Sequence, residues 1–393
     1  IQFVAARRSA SGDPLRPSRF LLRVERSALP ARVARLFPAE RERNPVVAVS
    51  PPSIEFPVCP KVDGSVFRSI SVTAFAIYLK CPYLFQLQRD PRLRLESIDE
   101  GASELDARGF GNLLHKAVEG WGEEEAAQAR PTTDRDAIER SVLAHLERAV
   151  TQFLPAQPAA AVRVQLDILR VRLRRFATLQ AHEAAQGWHV RFVELSFDET
   201  TGPLLTAAAA SAGDTTRGLH LVGRIDRVDR NIETGAWRAL DYKTGSAGLT
   251  PSATHLKGRK IGSRTWKDLQ LPLYRYLLAE GKAEASQPIH VQSDGLGYIN
   301  LAASAERSGF RMLECESSEF DAAFDEARRV VDGVLRGEFA PAKRTPIRSD
   351  DAFAAVWGLG LRAQALGVEP FNVVGEGEVG AGNSHEGSGG GDA

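Results

Sequence analysis

The chain has 393 residues, 43% of them hydrophobic and 25% charged, and its formal net charge is zero. This is the composition of an ordinary globular protein with material for two or three domains. A neutral chain can bind a polyanion only through local basic patches, and no apolar run here reaches membrane-spanning length, so we expect no membrane partner. The three cysteines (Cys59, Cys81 and Cys315) are widely spaced, which favours a reducing compartment such as the cytoplasm over a disulfide framework.

Composition divides the chain into three regions. Residues 1–60 are rich in arginine and proline and end in "NPVVAVSPPSIEFPVCP", which predicts an extended connector. Residues 61–345 carry the periodic patterns of helices and strands, and residues 346–393 end in a glycine-rich tail of the composition typical of disorder. Because the chain begins at Ile1 and its only methionine is Met312, we expect it to be a piece of a longer reading frame.

The first half of the central region has helical periodicity. One helix is predicted in "SVTAFAIYLKCPYLFQL" (71–87), with Ser71 or Thr73 as its N-cap, and a second from about Gly109 through "FGNLLHKAVEGWGEEE". Two more are predicted at 134–153 and 160–186. The last carries five arginines outside its apolar stripe, either as a solvated face or as a nucleic-acid contact: Arg163, Arg170, Arg172, Arg174 and Arg175.

The second half alternates like strands before helices return. Strands are predicted at 188–197, 219–230 and 237–243, and either a broken strand pair or one bulged strand at 289–301. Helices are predicted at 266–280 and 320–339, the first after a basic loop at 246–266. This order predicts an α/β fold with a mixed sheet flanked by helices and preceded by an N-terminal helical region.

The strand "ALDYKTG" places an acid and a lysine two residues apart, at Asp241 and Lys243. Both side chains leave from the same face of a strand. A surface ion pair is the simpler interpretation, since roughly one acid-x-lysine triplet arises by chance in such a chain. A second one is indeed present at Glu280-Gly-Lys282. The residues around Asp241 and Lys243 must therefore distinguish a functional site from a surface ion pair.

Asp226 lies in the preceding strand, across a turn from Asp241. An antiparallel hairpin would bring the two carboxylates together, where they repel unless a cation neutralises them. Oxygen ligands at a sheet edge suit Mg²⁺. Lys243 beside such an ion could hold a water molecule or offset charge on a phosphate, which is the chemistry of phosphodiester hydrolysis.

"GRIDRVD…WRALDYKTG" resembles the core motif of the PD-(D/E)XK nuclease superfamily in its RecB-like branch, which has a restriction-endonuclease-like core. Four further stretches match that branch in the expected order: "SVTAFAIYLKCPYLFQL", "GFGNLLHKAVE", "VELSF" and "QLPLYRYLL". Residues 8–24, "RSASGDPLRPSRFLLRV", also resemble the end of the helicase-like part of AddB-type proteins.

The resemblance implies a role for each matched residue. His115, Asp226 and Asp241 would ligate Mg²⁺, or Mn²⁺ in its place, with the backbone carbonyl of Tyr242 as a further ligand. Lys243 would orient the nucleophilic water.

Three more residues would complete the catalytic set. Gln270 and Tyr274, one helical turn apart, would support the site or contact DNA. Glu194 would be the active-site glutamate of the preceding strand, although a solvated strand-edge glutamate is equally compatible with the pattern.

The resemblance also implies the partners. The substrate would be linear DNA with single- or double-stranded ends, processed at double-strand breaks by an exonuclease acting with a helicase–nuclease partner subunit. No phosphate-binding loop of the G-x-x-x-x-G-K-[ST] type is present to supply a motor. Many AddB-type nucleases hold an iron–sulfur cluster with four cysteines, so with three cysteines we expect none here.

Two alternatives remain open from the sequence. One is a DNA-binding or scaffolding module of the same fold whose site is catalytically silent, and the other is a stand-alone nuclease of a defence system. The basic loop "HLKGRKIGSRTWK" is either a mobile solvated loop or a contact for phosphates. Trp188, Trp237 and Trp266 are expected to be core residues.

Overall fold

The computed structural model describes residues 23–36, 64–89, 104–207, 217–245, 247–282 and 287–340. The chain divides into two units, one of residues 1–58 with 343–393 and one of residues 59–342. The described part of the first unit is a 3₁₀ turn at Arg26–Ala28 followed by helix α1 (Leu29–Leu36). Nearly all of the helicase-like segment 8–24 and the whole of the predicted connector and glycine-rich tail lie outside the described residues.

The second unit holds eight described helices. They are α2 (Ala74–Lys80), α3 (Pro82–Arg89), α4 (Ala107–Ala126), α5 (Arg135–Phe153), α6 (Ala160–Ala185), α7 (Pro251–His255), α8 (Gln270–Glu280) and α9 (Ser317–Leu335). The predicted helices at 134–153 and 160–186 are thereby confirmed almost to the residue. None of the helices in the described ranges has an apolar stretch long enough to span a bilayer.

The strands of this unit form one large sheet and one small hairpin. The large sheet contains β1 (Ser69–Ser71), β2 (Trp188–Phe197), β3 (Leu204–Thr206), β4 (Gly218–Asn231), β5 (Trp237–Lys243), β8 (Leu296–Asn300) and β9 (Gly309–Met312). The hairpin consists of β6 (Leu256–Lys257) and β7 (Thr265–Trp266).

The long strand β4 organises the sheet. It pairs in parallel with β1 and antiparallel with β2, β3 and β5, and β5 then pairs in parallel with β8. Strand β9 closes the edge antiparallel to β8. The connection from β5 to β8 contains α8, as a parallel pair requires a long crossover. The predicted mixed sheet flanked by helices is confirmed.

Each face of the sheet buries its own apolar core. One core lies under α2, α3, α8 and α9 and includes Phe75, Tyr274, Tyr298 and Phe320. The other lies under α4, α5 and α6 and includes Leu114, Phe176 and Tyr242. The residues of β5 alternate between the two cores, so this strand is buried on both faces.

The predicted helix at 71–87 is two helices. Cys81 interrupts it with an extended backbone (φ −163°, ψ 107°) because the residue before a proline avoids the helical region, and Pro82 then starts α3. Neither proposed N-cap acts as one through its side chain. Ser71 belongs to β1, and Thr73 occupies the N-cap position of α2 without a side-chain bond to the helix.

The region from 246 to 301 differs from prediction in detail. Helix α8 begins at Gln270 instead of 266, since the buried Trp266 stays in the hairpin, where its indole N–H donates to the carbonyl of Glu319 at 2.6 Å. The predicted basic loop contains α7 and the β6–β7 hairpin, and the predicted strand at 289–301 is β8 alone, after a 3₁₀ turn.

A network of ion pairs is buried where α6 crosses the ends of β4 and β5. Both guanidinium nitrogens of Arg227 that face Asp229 bind its carboxylate, at 2.6 and 2.9 Å. Arg238 binds the same carboxylate at 2.9 Å and Glu183 at 2.5 Å. Burial by itself raises the pKa of Asp229, but Arg227 and Arg238 outweigh it and hold that pKa below its usual range. Both oxygens of Asp229 thus have donors, as a buried charge requires, whereas Nη2 of Arg238 is buried without a hydrogen-bond partner.

Replacing Asp229 with Asn should therefore destabilise the protein by on the order of 3–5 kcal/mol at neutral pH, because the buried guanidinium of Arg227 loses its carboxylate partner and that of Arg238 keeps only Glu183. A depressed carboxyl pKa contributes stability that is present above the unfolded value of about 4 and is lost as pH falls through the folded value. The deficit, measured by urea unfolding, should be constant between about pH 5 and 8 and shrink only below about pH 4.

The matched control is Asp325→Asn, at an exposed aspartate of α9, which should change stability by less than about 0.5 kcal/mol. A cost below about 1 kcal/mol for Asp229→Asn would contradict the assigned network.

Candidate functional site

Asp226 lies where β4 and β5 part. The ladder between these strands extends as far as the pair Arg227 and Leu240, so the next position would set Asp226 opposite Asp241. There the side chain of Asp226 replaces the backbone, and its Oδ2 accepts the amide N–H of Tyr242 at 2.9 Å. The predicted hairpin is confirmed, and one carboxylate of it is held against the backbone of the other strand.

The surroundings of Asp226 disfavour the negative charge of its carboxylate. Burial and, after it, the nearby charge of Asp241 raise the pKa of the Asp226 carboxyl well above its usual value. The bond from the Tyr242 amide and the charge of Lys243 oppose this rise without cancelling it. A positive ion at this position would remove the repulsion.

Glu194 reaches the same point from β2. It lies between Val193, which pairs with Arg227, and Leu195, which pairs with Ile225, and so faces Asp226 across the two strands. Its φ is +51°, and among the described residues it is the one non-glycine residue with a positive φ. Such a conformation costs on the order of 1–2 kcal/mol and persists where the surroundings impose it, commonly at functional sites.

The surroundings of Glu194 also disfavour the negative charge of its carboxylate. Its side chain is 14% exposed and forms an ion pair with the more exposed Arg224. Burial raises the pKa of Glu194, and Arg224 counteracts that rise only in part.

His115 comes from helix α4, which begins with Asp106 accepting the amide N–H of Gly109 at 2.6 Å. The helix packs on β2 at Gly122, where an added Cβ would lie 2.8 Å from a methyl of Val193. The imidazole Nδ1 of His115 is 3.8 Å from Asp226 Oδ2. Burial lowers the pKa of His115, and so does Lys243, against the opposing effects of Asp241 and the backbone of Tyr242. The ring is therefore favoured in its neutral form, which has a lone pair available for a metal ion.

One ligand atom each from His115, Glu194 and Asp226 lies within 4.8 Å of the other two. An imidazole nitrogen and two carboxylate oxygens of raised pKa form a donor set that fits a divalent cation such as Mg²⁺ or Mn²⁺. His115 and Asp226 were predicted as ligands, whereas Glu194 was predicted only as a catalytic residue. The structure brings all three together.

Asp241 is bound differently from the predicted ligand set. Its Oδ2 lies 2.7 Å from the Lys243 amine, and its Oδ1 accepts a hydrogen bond from Gln270 Nε2 at 2.8 Å. The hydroxyl of Tyr274 is 3.4 Å from the same Oδ1 and 2.7 Å from Gln270 Nε2. Both oxygens of Asp241 therefore already have donors, and Asp241 is not one of the three residues whose ligand atoms converge. That Asp241 and the Tyr242 carbonyl ligate the ion stays a prediction.

The predicted pair Gln270 and Tyr274 thus lies against Asp241. Tyr274 is 1% exposed, and burial followed by the charge of Asp241 raises its pKa well above the usual value, so it remains a hydrogen-bond donor. Gln270 stands at the first turn of α8, where its amide N–H donates to Asp268 Oδ1 at 2.9 Å. The two side chains orient the carboxylate of Asp241.

A cleft of about 610 Å³ opens over the three donor residues. Its walls also contain Asn112 and Lys116 of α4, Phe153 at the end of α5, and Arg224 of β4. Phe153 is 55% exposed, and the side chain of Arg224 is 61% exposed. The cleft is thus an open approach to the carboxylates, with a mixed lining of charged, polar and apolar groups that includes Glu119.

The family model that matches this chain is that of the PD-(D/E)XK nuclease superfamily, over residues 69–346. The match covers well over half of the chain and includes every residue of the site described above. A comparison with curated proteins gave no match. The chain belongs to the PD-(D/E)XK nuclease superfamily, and the mixed α/β fold is the restriction-endonuclease-like core of that superfamily.

The arginines of α6 are occupied within the protein. Arg170 binds Glu147 and Asp167, Arg174 binds Glu139, and Arg163 and Arg175 bind backbone carbonyls. Arg172 is buried and donates to the carbonyls of Thr244 and Leu301 at 2.6 and 3.0 Å. These contacts favour a structural role over a nucleic-acid contact.

Of the three tryptophans predicted in the core, only Trp266 is buried, whereas Trp188 and Trp237 are half-buried. The guanidinium carbons of Arg238 and Arg230 lie 4.1 and 5.4 Å from the ring centroids of Trp188 and Trp237 respectively.

The basic hairpin loop keeps most of its positive charge free of acidic partners within the described residues. Arg264 binds Glu319, but Lys257, Arg259, Lys260 and Lys267 are exposed. Gly262 and Arg264 hold the loop against Glu319 of α9, while its lysines and Arg259 face solvent.

We expect Asp226→Asn to raise the stability of the metal-free protein by roughly 1 kcal/mol at neutral pH, because it removes a carboxylate that burial and Asp241 oppose. The Tm rise caused by millimolar Mg²⁺ or Mn²⁺ should shrink in the same variant. Both values come from calorimetry with and without the ion. A metal-free variant less stable than the wild type would show that the Asp226 charge is a stabilising structural charge.

Proposed function

We propose that this chain is a metal-dependent DNA nuclease domain that hydrolyses phosphodiester bonds. The observation that carries the proposal is the convergence of His115, Glu194 and Asp226 at the floor of an open cleft, beside the pair of Asp241 and Lys243. A structural ion pair would need none of the unfavourable features found here, which are two carboxyls of raised pKa and a positive φ. Membership of the nuclease superfamily supports the same conclusion.

In the proposed mechanism His115, Glu194 and Asp226 would hold Mg²⁺ or Mn²⁺, and Asp241 would be a further ligand through the Oδ2 that the Lys243 amine contacts here. A divalent ion held there would supply positive charge to the scissile phosphate and lower the pKa of a bound water. The Lys243 amine, within reach of the same carboxylate, orients the attacking water and offsets charge that develops on the phosphate. Gln270 and Tyr274 keep Asp241 in place during these steps.

The substrate we propose is linear DNA. Lys116 and Arg224 lie in the cleft wall, where they pair with Glu119 and Glu194, and we propose that they exchange these partners for phosphates of the DNA. The exposed lysines and arginine of the β6–β7 loop offer a second patch, which a chain of zero net charge needs for a polyanion.

The proposal also covers the process in which the nuclease acts. We infer that the domain processes double-strand breaks as an exonuclease of the RecB-like branch, with a helicase–nuclease partner subunit. The five motifs in family order and the likeness of residues 8–24 to AddB-type proteins support this inference. The free thiols of Cys81 and Cys315 agree with a cytoplasmic location.

The test is DNA cleavage by the purified chain with and without divalent metal. The wild type should degrade linear DNA in Mg²⁺ or Mn²⁺, stop on chelation and resume when metal is restored. Lys243→Ala and Asp241→Ala should each reduce the single-turnover rate by about 10²–10⁴-fold while DNA binding remains. The matched control is Lys282→Ala, since Lys282 belongs to the other acid-x-lysine triplet and is exposed away from the site.

Three results would count against the proposal or part of it. Cleavage that survives Asp241→Ala rules out the assigned site, and binding of DNA without cleavage by the wild type identifies a silent module. Cutting of covalently closed circles at the rate of linear DNA replaces the exonuclease assignment with an endonuclease, as expected for a stand-alone defence enzyme.

A further inference from the structure

A closed ring of contacts holds the amine of Lys243. Six residues form it in the order Asp241, Lys243, Tyr298, His255, Asp268 and Gln270, and the step from Asp268 to Gln270 runs through the backbone N–H of Gln270. The amine lies 2.7 Å from Asp241 Oδ2 and 4.8 Å from the centroid of the Tyr298 ring, so it stands between a carboxylate and an aromatic face. Gln270 closes the ring by donating to the other oxygen of Asp241 at 2.8 Å.

Tyr298 is placed there by the sheet. In the parallel ladder of β5 and β8 it is the partner of Asp241, so its side chain leaves from the same face as those of Asp241 and Lys243. It is fully buried, and its hydroxyl contacts His255 Nε2 at 2.5 Å. The face of the ring is therefore fixed toward the amine.

His255 fixes the hydroxyl in turn. This imidazole is fully buried, and its Nδ1 faces two acceptors of Asp268, the backbone carbonyl at 3.1 Å and the carboxylate Oδ1 at 3.3 Å. Nδ1 must therefore carry the proton, so that Nε2 accepts the hydroxyl hydrogen of Tyr298. Asp268 Oδ1 also accepts a hydrogen bond from the backbone N–H of Gln270. Because the side chain of Gln270 donates to Asp241, this bond completes the cycle of contacts.

The two neighbours of the Lys243 amine, Asp241 and the Tyr298 ring, differ in whether they could bind a divalent ion. Asp241 Oδ2 is an oxygen that a divalent ion would compete for, and its release leaves the amine free to move. The Tyr298 face binds an ammonium by cation–π attraction, which is strongest at desolvated sites, and it offers no ligand to Mg²⁺. The aromatic ring of Tyr298 can therefore keep the Lys243 amine in position after the amine has lost its contact with Asp241.

We propose that Tyr298 is a positioning residue for Lys243, and that His255 and Asp268 hold its ring in the required orientation. This inference rests on the proposed nuclease function, because it assigns Lys243 to the reaction. It predicts a contribution to the rate of cleavage and none to the affinity for DNA.

The test replaces Tyr298 with Phe and with phenylalanines carrying one, two and three fluorines, which keep the shape of the ring and progressively weaken its negative face. Single-turnover rates on linear DNA should fall in order across the series, by about 5- to 30-fold in all, while the DNA Kd stays constant. The Tm of each variant is measured alongside. Equal rates across the series would overturn the proposal.

A double-mutant cycle gives the second readout. Tyr298→Leu should lower the rate by at least the same factor in the wild type but by less than about twofold in Lys243→Ala, because a residue that acts through the amine has no effect without it. The matched control is Tyr276→Leu on α8, whose ring packs on Phe324 and is expected to leave the rate unchanged in both backgrounds. An equal loss from Tyr298→Leu in both backgrounds would show a merely structural role.

These outcomes separate the two proposals. Absence of cleavage by the wild type would sink the nuclease function and this inference with it. Wild-type cleavage with a flat fluorine series would sink the inference alone.

Discussion

The hydrogen bond from the Tyr242 amide to Asp226 is the interaction on which the site depends. It ends the pairing of β4 with β5 and draws a carboxylate into the protein beside a second one, Asp241. Burial and, after it, the repulsion from Asp241 raise the pKa of Asp226. Glu194 adds a third carboxylate from β2, so three strands and helix α4 bring together groups that oppose one another unless a cation is bound.

A site of this kind needs rigid support, which the two faces of the sheet supply separately. Under α6, the guanidinium groups of Arg227 and Arg238 satisfy Asp229 completely enough to lower its pKa in spite of burial. On the opposite face, Gln270 and Tyr274 orient Asp241 from α8. Stabilising charge is thus concentrated in the interior, while the charge left unsatisfied lies at the floor of the cleft, where it is useful for binding.

The parts of this arrangement that follow from local spacing could be predicted from sequence. The turn between Asp226 and Asp241 sets a hairpin, and alternation puts Lys243 on the same face as Asp241. His115 and Glu194 could be named only through their resemblance to family motifs, because no local pattern links a helix to a strand 79 residues later. The strands β1, β3 and β9 have three or four residues, too few for alternation to show.

Other features depend on contacts that a single sequence does not record. Tyr298 and His255 are 43 positions apart and meet only when β8 has crossed back beside β5. Arg227 and Asp229 do carry a readable signal, since they alternate on one face of β4, but charged residues in a strand are ordinarily expected to face solvent. The positive φ of Glu194 is likewise a feature that nothing in "VELSF" predicts.

The most direct test of the account is a crystal structure of the protein soaked in Mn²⁺, with the ion located by its anomalous scattering. We expect one strong peak within about 2.0–2.3 Å of His115 and Asp226 and of at least one of Glu194 and Asp241, with the Lys243 amine still against the Tyr298 ring. A peak elsewhere, or ordered His115 and Asp226 side chains turned away from each other, would contradict it.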